Sequence, residues 1–339
     1  MTGTPGTLPE TPPAARDALS DLLDGMRLSG VVMFCAEFRE PWSVTTPGTK
    51  RLKETLQFGA DHMIPFHVVA DGGCWIEMPG LAPVRLEKGD AVCMPFGDSH
   101  RLFGHEAADS VPLGTLLPKP PWAEGLTVRH GGASGGADVV CGFVRCDELI
   151  FDPILRHLPV LIHVSPRGAD DAWLSSTIAR TVAEVRRPAP GSRGMAPRLT
   201  EVMFVEILRK HMQGLSPDEV GWFAAYNDPV VGAALRLLHA APFDDWSVDK
   251  LAKAVGASRT VVADRFNDFL DAPPMQYLAH WRLRLAAQRL KASDLPVKTV
   301  ADACGYESEA AFNRAFKRCF GLPPGDWRRR GGARPEPTR

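Results

Sequence analysis

The stretch Leu251-Ala252-Lys253-Ala254-Val255-Gly256 recurs 49 residues later as Val300-Ala301-Asp302-Ala303-Cys304-Gly305. At an offset of 50 the match continues: Val262, Phe266 and Leu270 align with Phe312, Phe316 and Phe320, Ala272-Pro273-Pro274 with Leu322-Pro323-Pro324, and Tyr277 with Trp327. Each copy reads as a short helix, a glycine turn and a longer helix. Ala252 and Ala301 are small where two helices must cross, and Gly256 and Gly305 supply a turn conformation that a residue with Cβ resists. The spacing of the large apolar residues puts one inward stripe on each second helix and leaves its opposite face for another task. The proline pairs end those helices, and Met275–Lys291 remains as a joining helix about 25 Å long at 1.5 Å per residue. Two such units on a rigid spacer suit two major-groove segments about 34 Å apart on one face of a duplex.

The rest of the chain is of a different kind. At 339 residues the protein has room for about two domains, each with its own core. Charge is unevenly spread: from Asn227 onward 18 Lys/Arg stand against 13 Asp/Glu, whereas Met1–Tyr226 carries 21 against 27. A basic C-terminal part points to a polyanion. Met1–Leu19 is rich in Thr, Pro and Gly and lacks the apolar core of a secretion signal. No apolar run reaches the roughly 18 residues of a membrane span, so a cytoplasmic protein without a membrane partner is expected. Seven cysteines, an odd number spread over a long chain, fit reduced thiols better than a disulfide framework.

Between Gly30 and His163 short β-rich runs are separated by Gly and Pro: Val31–Phe38, Ile64–Val69, Cys74–Met78, Val84–Leu86, Ala91–Met94 and Val139–Val144. This spacing predicts a barrel or sandwich without crossover helices. Ala172–Arg186 and Leu199–Gln213 then carry helical periodicity, with Pro188–Pro197 as a loop between them and Leu215–Tyr226 as a connection onward. The stripe Leu199, Val202, Met203, Ile207 and Leu208 either packs on the barrel or forms a dimer contact. The fold class is thus α+β in two domains. A lead-in over 1–29 precedes a β-barrel domain with trailing helices over 30–226. An all-α domain over 227–330 follows, with helix-turn-helix units at 247–269 and 297–320 and a tail over 331–339.

Residues Asp228–Arg330 resemble the DNA-binding domain of the AraC/XylS transcription regulators. The resemblance is carried by Gly305-Tyr306-Glu307-Ser308-Glu309-Ala310-Ala311-Phe312-Asn313-Arg314-Ala315-Phe316-Lys317-Arg318-Cys319-Phe320-Gly321, followed by Pro323-Pro324 and Trp327-Arg328. It implies that the second helix of each unit reads DNA, through Arg259, Thr260, Ala263, Asp264 and Asn267 in the first copy and Ser308, Glu309, Asn313, Arg314 and Lys317 in the second. Arginine can reach guanine or phosphate, Asn313 can pair with adenine, and Asp264 can only accept from cytosine N4. Lys250, Lys253, Arg265 and Arg318 also read as a solvated face.

In the β-rich half, Gly89-Asp90, Pro95-Phe96-Gly97 and His100 resemble the second cupin motif, and Val31–Val144 resembles the cupin-type sensor domain that often precedes an AraC-type DNA-binding domain. The first cupin motif, with its histidine pair and glutamate, has no counterpart in Asp61-His62-Met63-Ile64-Pro65-Phe66-His67. His67 and His100 are therefore either hydrogen-bonded pocket histidines or, with His62 or a thiolate, candidates for a metal site; otherwise no cofactor is expected. Cys141, which precedes a glycine, is a candidate sensing thiol by resemblance to regulators of this group that respond to oxidants or electrophiles; Cys35, in an early strand, is a second candidate, since the barrel can bring both thiols near one opening. The expected protein is a regulator and not an enzyme: a dimeric activator that binds promoter or operator DNA, answers a small-molecule or reactive effector and works with RNA polymerase. The alternative is a metal-dependent cupin enzyme carrying an accessory DNA-binding domain. A DNA-repair methyl acceptor would demand a Pro-Cys-His type motif or a four-cysteine metal cluster, and the sequence has neither.

Overall fold

A computed structural model describes residues 20, 28–49, 51, 62–118, 125–146, 158–216 and 219–329. The chain divides into two compact units, one over Met26–Gly221 and one comprising Trp222–Arg339. The lead-in and tail expected from sequence lie almost wholly outside the described residues.

The first unit is built on long strands. β1 (Ser29–Glu40) pairs with β9 (Ser134–Cys146), and β9 pairs with β3 (His62–Glu77), all antiparallel; β8 (Thr127–Gly131) runs parallel to β1 on its other side. Where two strands are expected on either side of Gly72-Gly73, the chain continues through that point as one bent strand. Its first half pairs with β9 and β5 (Ala91–Cys93). Its second half pairs with β4 (Val84–Glu87) and β6 (His100–Phe103), so β3 carries the chain from one sheet of the barrel to the other. The bend follows a register shift between Val69 and Asp71. At the bend Gly72 has φ +71, and a Cβ there would lie 2.1 Å from the Gly136 carbonyl oxygen. β2 (Ser43–Thr46) pairs with β6 and with β7 (Val111–Pro112), and β10 (Ile162–Val164) pairs with β5. The short strands β2, β6, β7, β8 and β10 add to those expected; at two to five residues each they carry little periodicity of their own.

Phe34, Ala36, Phe38, Val69, Ile76, Leu86, Met94, Leu102 and Val139 fill the barrel. After a one-turn helix α1 (Leu113–Leu116), helices α2 (Ala172–Arg186) and α3 (Ser192–Gln213) pack on each other and against β1. α2 has the bounds expected, while α3 starts earlier, within the stretch read as a loop. Pro197 sits inside α3, where Arg198 Nη1 donates to the Gly194 carbonyl and Thr200 Oγ1 to that of Ala196, supporting the turns around it. Met203, Ile207 and Leu208 are buried inside the unit, so most of the apolar stripe packs there, and Val202 remains exposed.

The second unit is all helical: α4 (Trp222–Asn227), α5 (Val231–Ala240), α6 (Val248–Ala254), α7 (Arg259–Leu270), α8 (Pro274–Ala292), α9 (Val297–Ala303), α10 (Glu309–Phe320) and α11 (Pro324–Arg329). The residues read as a connection include α4, which belongs to this unit because Trp222 is buried and its Nε1 donates to the Tyr277 hydroxyl at 2.9 Å. The repeat is realised physically. Gly256 and Gly305 have φ +70 and +77, and Ser258 and Ser308 cap α7 and α10 by accepting from Val261 N and Ala311 N. The aligned sets Val262, Phe266, Leu270 and Phe312, Phe316, Phe320 are all buried.

Candidate effector site and DNA interface

In the register of β3 against β9, His67 lies directly opposite Cys141. Both side chains point into the barrel, and His67 Nδ1 is 3.1 Å from Cys141 Sγ. On its other side His67 Nε2 is 2.7 Å from His100 Nε2, and His100 Nδ1 is 3.2 Å from the Asp98 carbonyl oxygen. A carbonyl can only accept, and this gives the whole chain one direction. His100 Nδ1–H donates to Asp98, so His100 Nε2 accepts from His67 Nε2–H, and His67 Nδ1 accepts from the Cys141 thiol. All three side chains are buried. Burial holds His67 well below the usual imidazole range, with His100 adding to the effect, and brings His100 down to about 4. Burial also pushes the Cys141 thiol well above its ordinary range, with Cys35 and Cys74 acting in the same direction. The resting site is therefore a neutral thiol in contact with a neutral base.

Cys35 does not join this group. It pairs with Val140 while Phe34 pairs with Cys141, so alternation along the strands sends Cys35 to the opposite face of the sheet, where Arg186 of α2 is its neighbour in charge. The expectation that one barrel opening would collect both thiols is thus corrected. Cys74 shares the apolar core with Cys141. His62 Nε2 donates to the Pro95 carbonyl at 2.7 Å. Since the nitrogens of His67 and His100 face each other and the thiol meets the far side of His67, one ion cannot take all three ligands. Among the described residues no group of three or more His, Cys, Asp or Glu could hold a metal ion. Asp90 of the Gly89-Asp90 turn is buried and structural: it accepts from Glu87 N at 2.9 Å and lies 3.1 Å from His163 Nε2.

In the helical unit, Arg259, Thr260, Asp264 and Asn267 of α7 are exposed, as are Glu309, Arg314 and Lys317 of α10, while Ala263 and Asn313 are half-buried. Ser308 is exposed too, with its hydroxyl oxygen engaged as the cap of α10. Arg265 is drawn onto Asp228, Lys250 onto Asp245 at 2.7 Å and Arg259 towards Asp249 at 3.5 Å, so three of the cations around the first copy already have acidic partners. Asp228 was not legible as one of these partners, because it lies 37 residues from Arg265.

Comparison with known proteins agrees with this architecture. Residues 17–213 match the family described as Cupin, and residues 251–330 match the family described as Helix-turn-helix domain. The chain is similar to an AraC-like transcription regulator of Streptomyces lividans, at 32% identity over 81% of this chain and 89% of that one. It is similar to the transcriptional regulator AlkR of Acinetobacter baylyi, at 35% identity over 92% of this chain and 99% of that one. It is also similar to the transcriptional activator RclR of Escherichia coli K12, at 26% identity over 81% and 88%. No helix among the described residues is long and apolar enough to cross a membrane. A cupin half followed by a duplicated helix-turn-helix half, matched along nearly its whole length by such relatives, makes this chain a member of the AraC-type family of DNA-binding transcription regulators.

Proposed function

We propose that this regulator senses a small oxidant or electrophile through Cys141, and that the state of this thiol sets how its two helix-turn-helix units engage promoter DNA. The observation that carries the reading is the directed chain from Cys141 through His67 and His100 to the Asp98 carbonyl. A neutral thiol is a weak nucleophile unless a base takes its proton as it attacks. His67 Nδ1 is placed to do so, and its Nε2–H leads on to His100. With hydrogen peroxide the S–O bond forms as the O–O bond breaks. Sulfur is oxidised by two electrons to the sulfenic acid, and His67 passes the thiol proton to the departing hydroxide, giving water. The new polar oxygen then enters the apolar core that Cys141 shares with Phe34 and Val139, where an added polar atom disturbs the packing. Such a penalty, differing between two arrangements of the unit, is what a switch requires.

The barrel acts in this reading as a sensor and not as an enzyme, which is supported by relatives named transcription regulators. The protein works in the cytoplasm as a homodimer. The exposed Met195 and Val202 on α3 support that contact, with Met203, Ile207 and Leu208 used inside the unit. It activates transcription, as the name of the E. coli relative suggests, and does so with RNA polymerase. The test is footprinting on DNA upstream of its own gene, in reductant and after hydrogen peroxide. A footprint of about two helical turns should change with peroxide in the wild type and not in Cys141→Ser. A wild-type footprint that ignores peroxide refutes the thiol reading.

A further inference from the structure

The two copies of the repeat fold alike and carry opposite charge where they face outward. With the buried triads in register at an offset of 50, Asp264 occupies the position of Arg314, Asp268 that of Arg318 and Asn267 that of Lys317. All six side chains are exposed. Along their lengths α7 has two arginines and two aspartates, whereas α10 has two arginines, a lysine and one glutamate. The tertiary structure sharpens the contrast. Of the arginines of α7, Arg265 is held by the buried Asp228 and Arg259 stands 3.5 Å from the exposed Asp249, while no acidic partner is found for Arg314 or Lys317 among the described residues.

We infer that the two units do different work: α10 supplies the phosphate-driven affinity, and α7 acts as a filter in which Asp264 admits cytosine. This rests on the reading of the second unit as a DNA-binding domain. A carboxylate only accepts hydrogen bonds, and phosphates repel it. In the major groove its one well-matched partner is the cytosine N4 amino group, since adenine's amino group stands beside the N7 acceptor and guanine and thymine offer acceptors. Asp264, at the position equivalent to Arg314, is thus unfavourable against most base pairs and favourable against one. Discrimination there comes mainly from rejection of the other bases. Affinity must come from elsewhere, and Arg314 and Lys317 on α10 are free to give it.

The experiment is selection of binding sites from a pool of randomised DNA duplexes by the full-length protein, followed by titrations of the winning duplex at several salt concentrations. Wild type should select two segments about one turn apart, with a fixed cytosine in the segment facing α7. Asp264→Ala should lose that cytosine preference, which is worth about ten- to hundredfold against other bases, and bind unselected DNA more tightly. Asp264→Asn should exchange cytosine for adenine. Arg314→Ala should weaken binding and lower the salt slope by about one. Selection of the same sequence at the same affinity by wild type and Asp264→Ala overturns the inference, as does a wild-type site with no preference opposite α7; the acidic face would then meet a protein. Failure of the wild type to enrich any sequence would instead strike the DNA-binding reading beneath it.

Discussion

Lowering the pH from 7 to 5 should destabilise the barrel unit, because His67 and His100 are kept neutral by burial. In the unfolded chain each imidazole regains its ordinary pKa of about 6.5 and takes up a proton as the pH falls past that value. In the native barrel His100 stays neutral down to about 4, and His67 also stays neutral well below the usual imidazole range. Over this window the unfolded state binds more protons than the native state, so stability falls as acid is added. Each histidine held neutral contributes a loss of about 1.4 kcal/mol per pH unit below 6.5, so the pair loses about 4 kcal/mol at pH 5. Carboxylates add little, since their unfolded pKa values near 4 lie below the window. For a unit of this size the loss corresponds to a fall in Tm of about 8 to 16 °C. Calorimetry on the full chain reads it, and His100→Asn, which should remove about 2 kcal/mol of the loss, identifies the barrel transition. A Tm that barely moves between pH 7 and 5 would mean that the histidines are charged in the native barrel, and the neutral thiol–base pair would have to be abandoned.

Three further outcomes follow from the packing. Phe316→Ala, which empties a fully buried ring position between Phe312, Phe320 and Trp327, should destabilise the helical unit by about 3–5 kcal/mol, read by urea unfolding, and abolish DNA binding in a gel-shift assay. Gly72→Ala forces a side chain onto a φ of +71 and against the Gly136 carbonyl, so it should lower the urea midpoint of the barrel by the equivalent of at least about 1–3 kcal/mol; an unchanged midpoint would show that the bend in β3 relaxes freely. Cys35→Ser should leave the rate at which Cys141 is oxidised unchanged, and peroxide should give no Cys35–Cys141 disulfide in mass spectra of digests, because the two thiols lie on opposite faces of one sheet.

Much of the helical unit was legible in the sequence because its determinants are local. A helix states its buried face every three or four residues, Gly256 and Gly305 mark their own turns, and a duplicated unit states everything twice. The equivalence of Asp264 and Arg314 is contained in that repeat. That Arg265 is held by Asp228 is not, because the pair is brought together only by packing across α4, α5 and α7. In the β-rich half the sequence marked His67, His100, Cys141 and Cys35 as the chemistry-bearing residues, and could neither join the first three nor set the fourth apart.

That choice belonged to the tertiary structure. His67 meets Cys141 across 74 residues only through the register of β3 on β9, and a slip of one residue would send either side chain to the other face of the sheet. The bend of β3 brings β6 round so that His100 closes the chain, and the Asp98 carbonyl then sets which way every proton in it points. Helical periodicity writes a buried face into a few neighbouring residues, whereas a barrel interior is assembled from distant strands whose alternation names two faces without saying which is inside. The composition of this site was therefore set by the sequence alone, and its geometry by the register of paired strands.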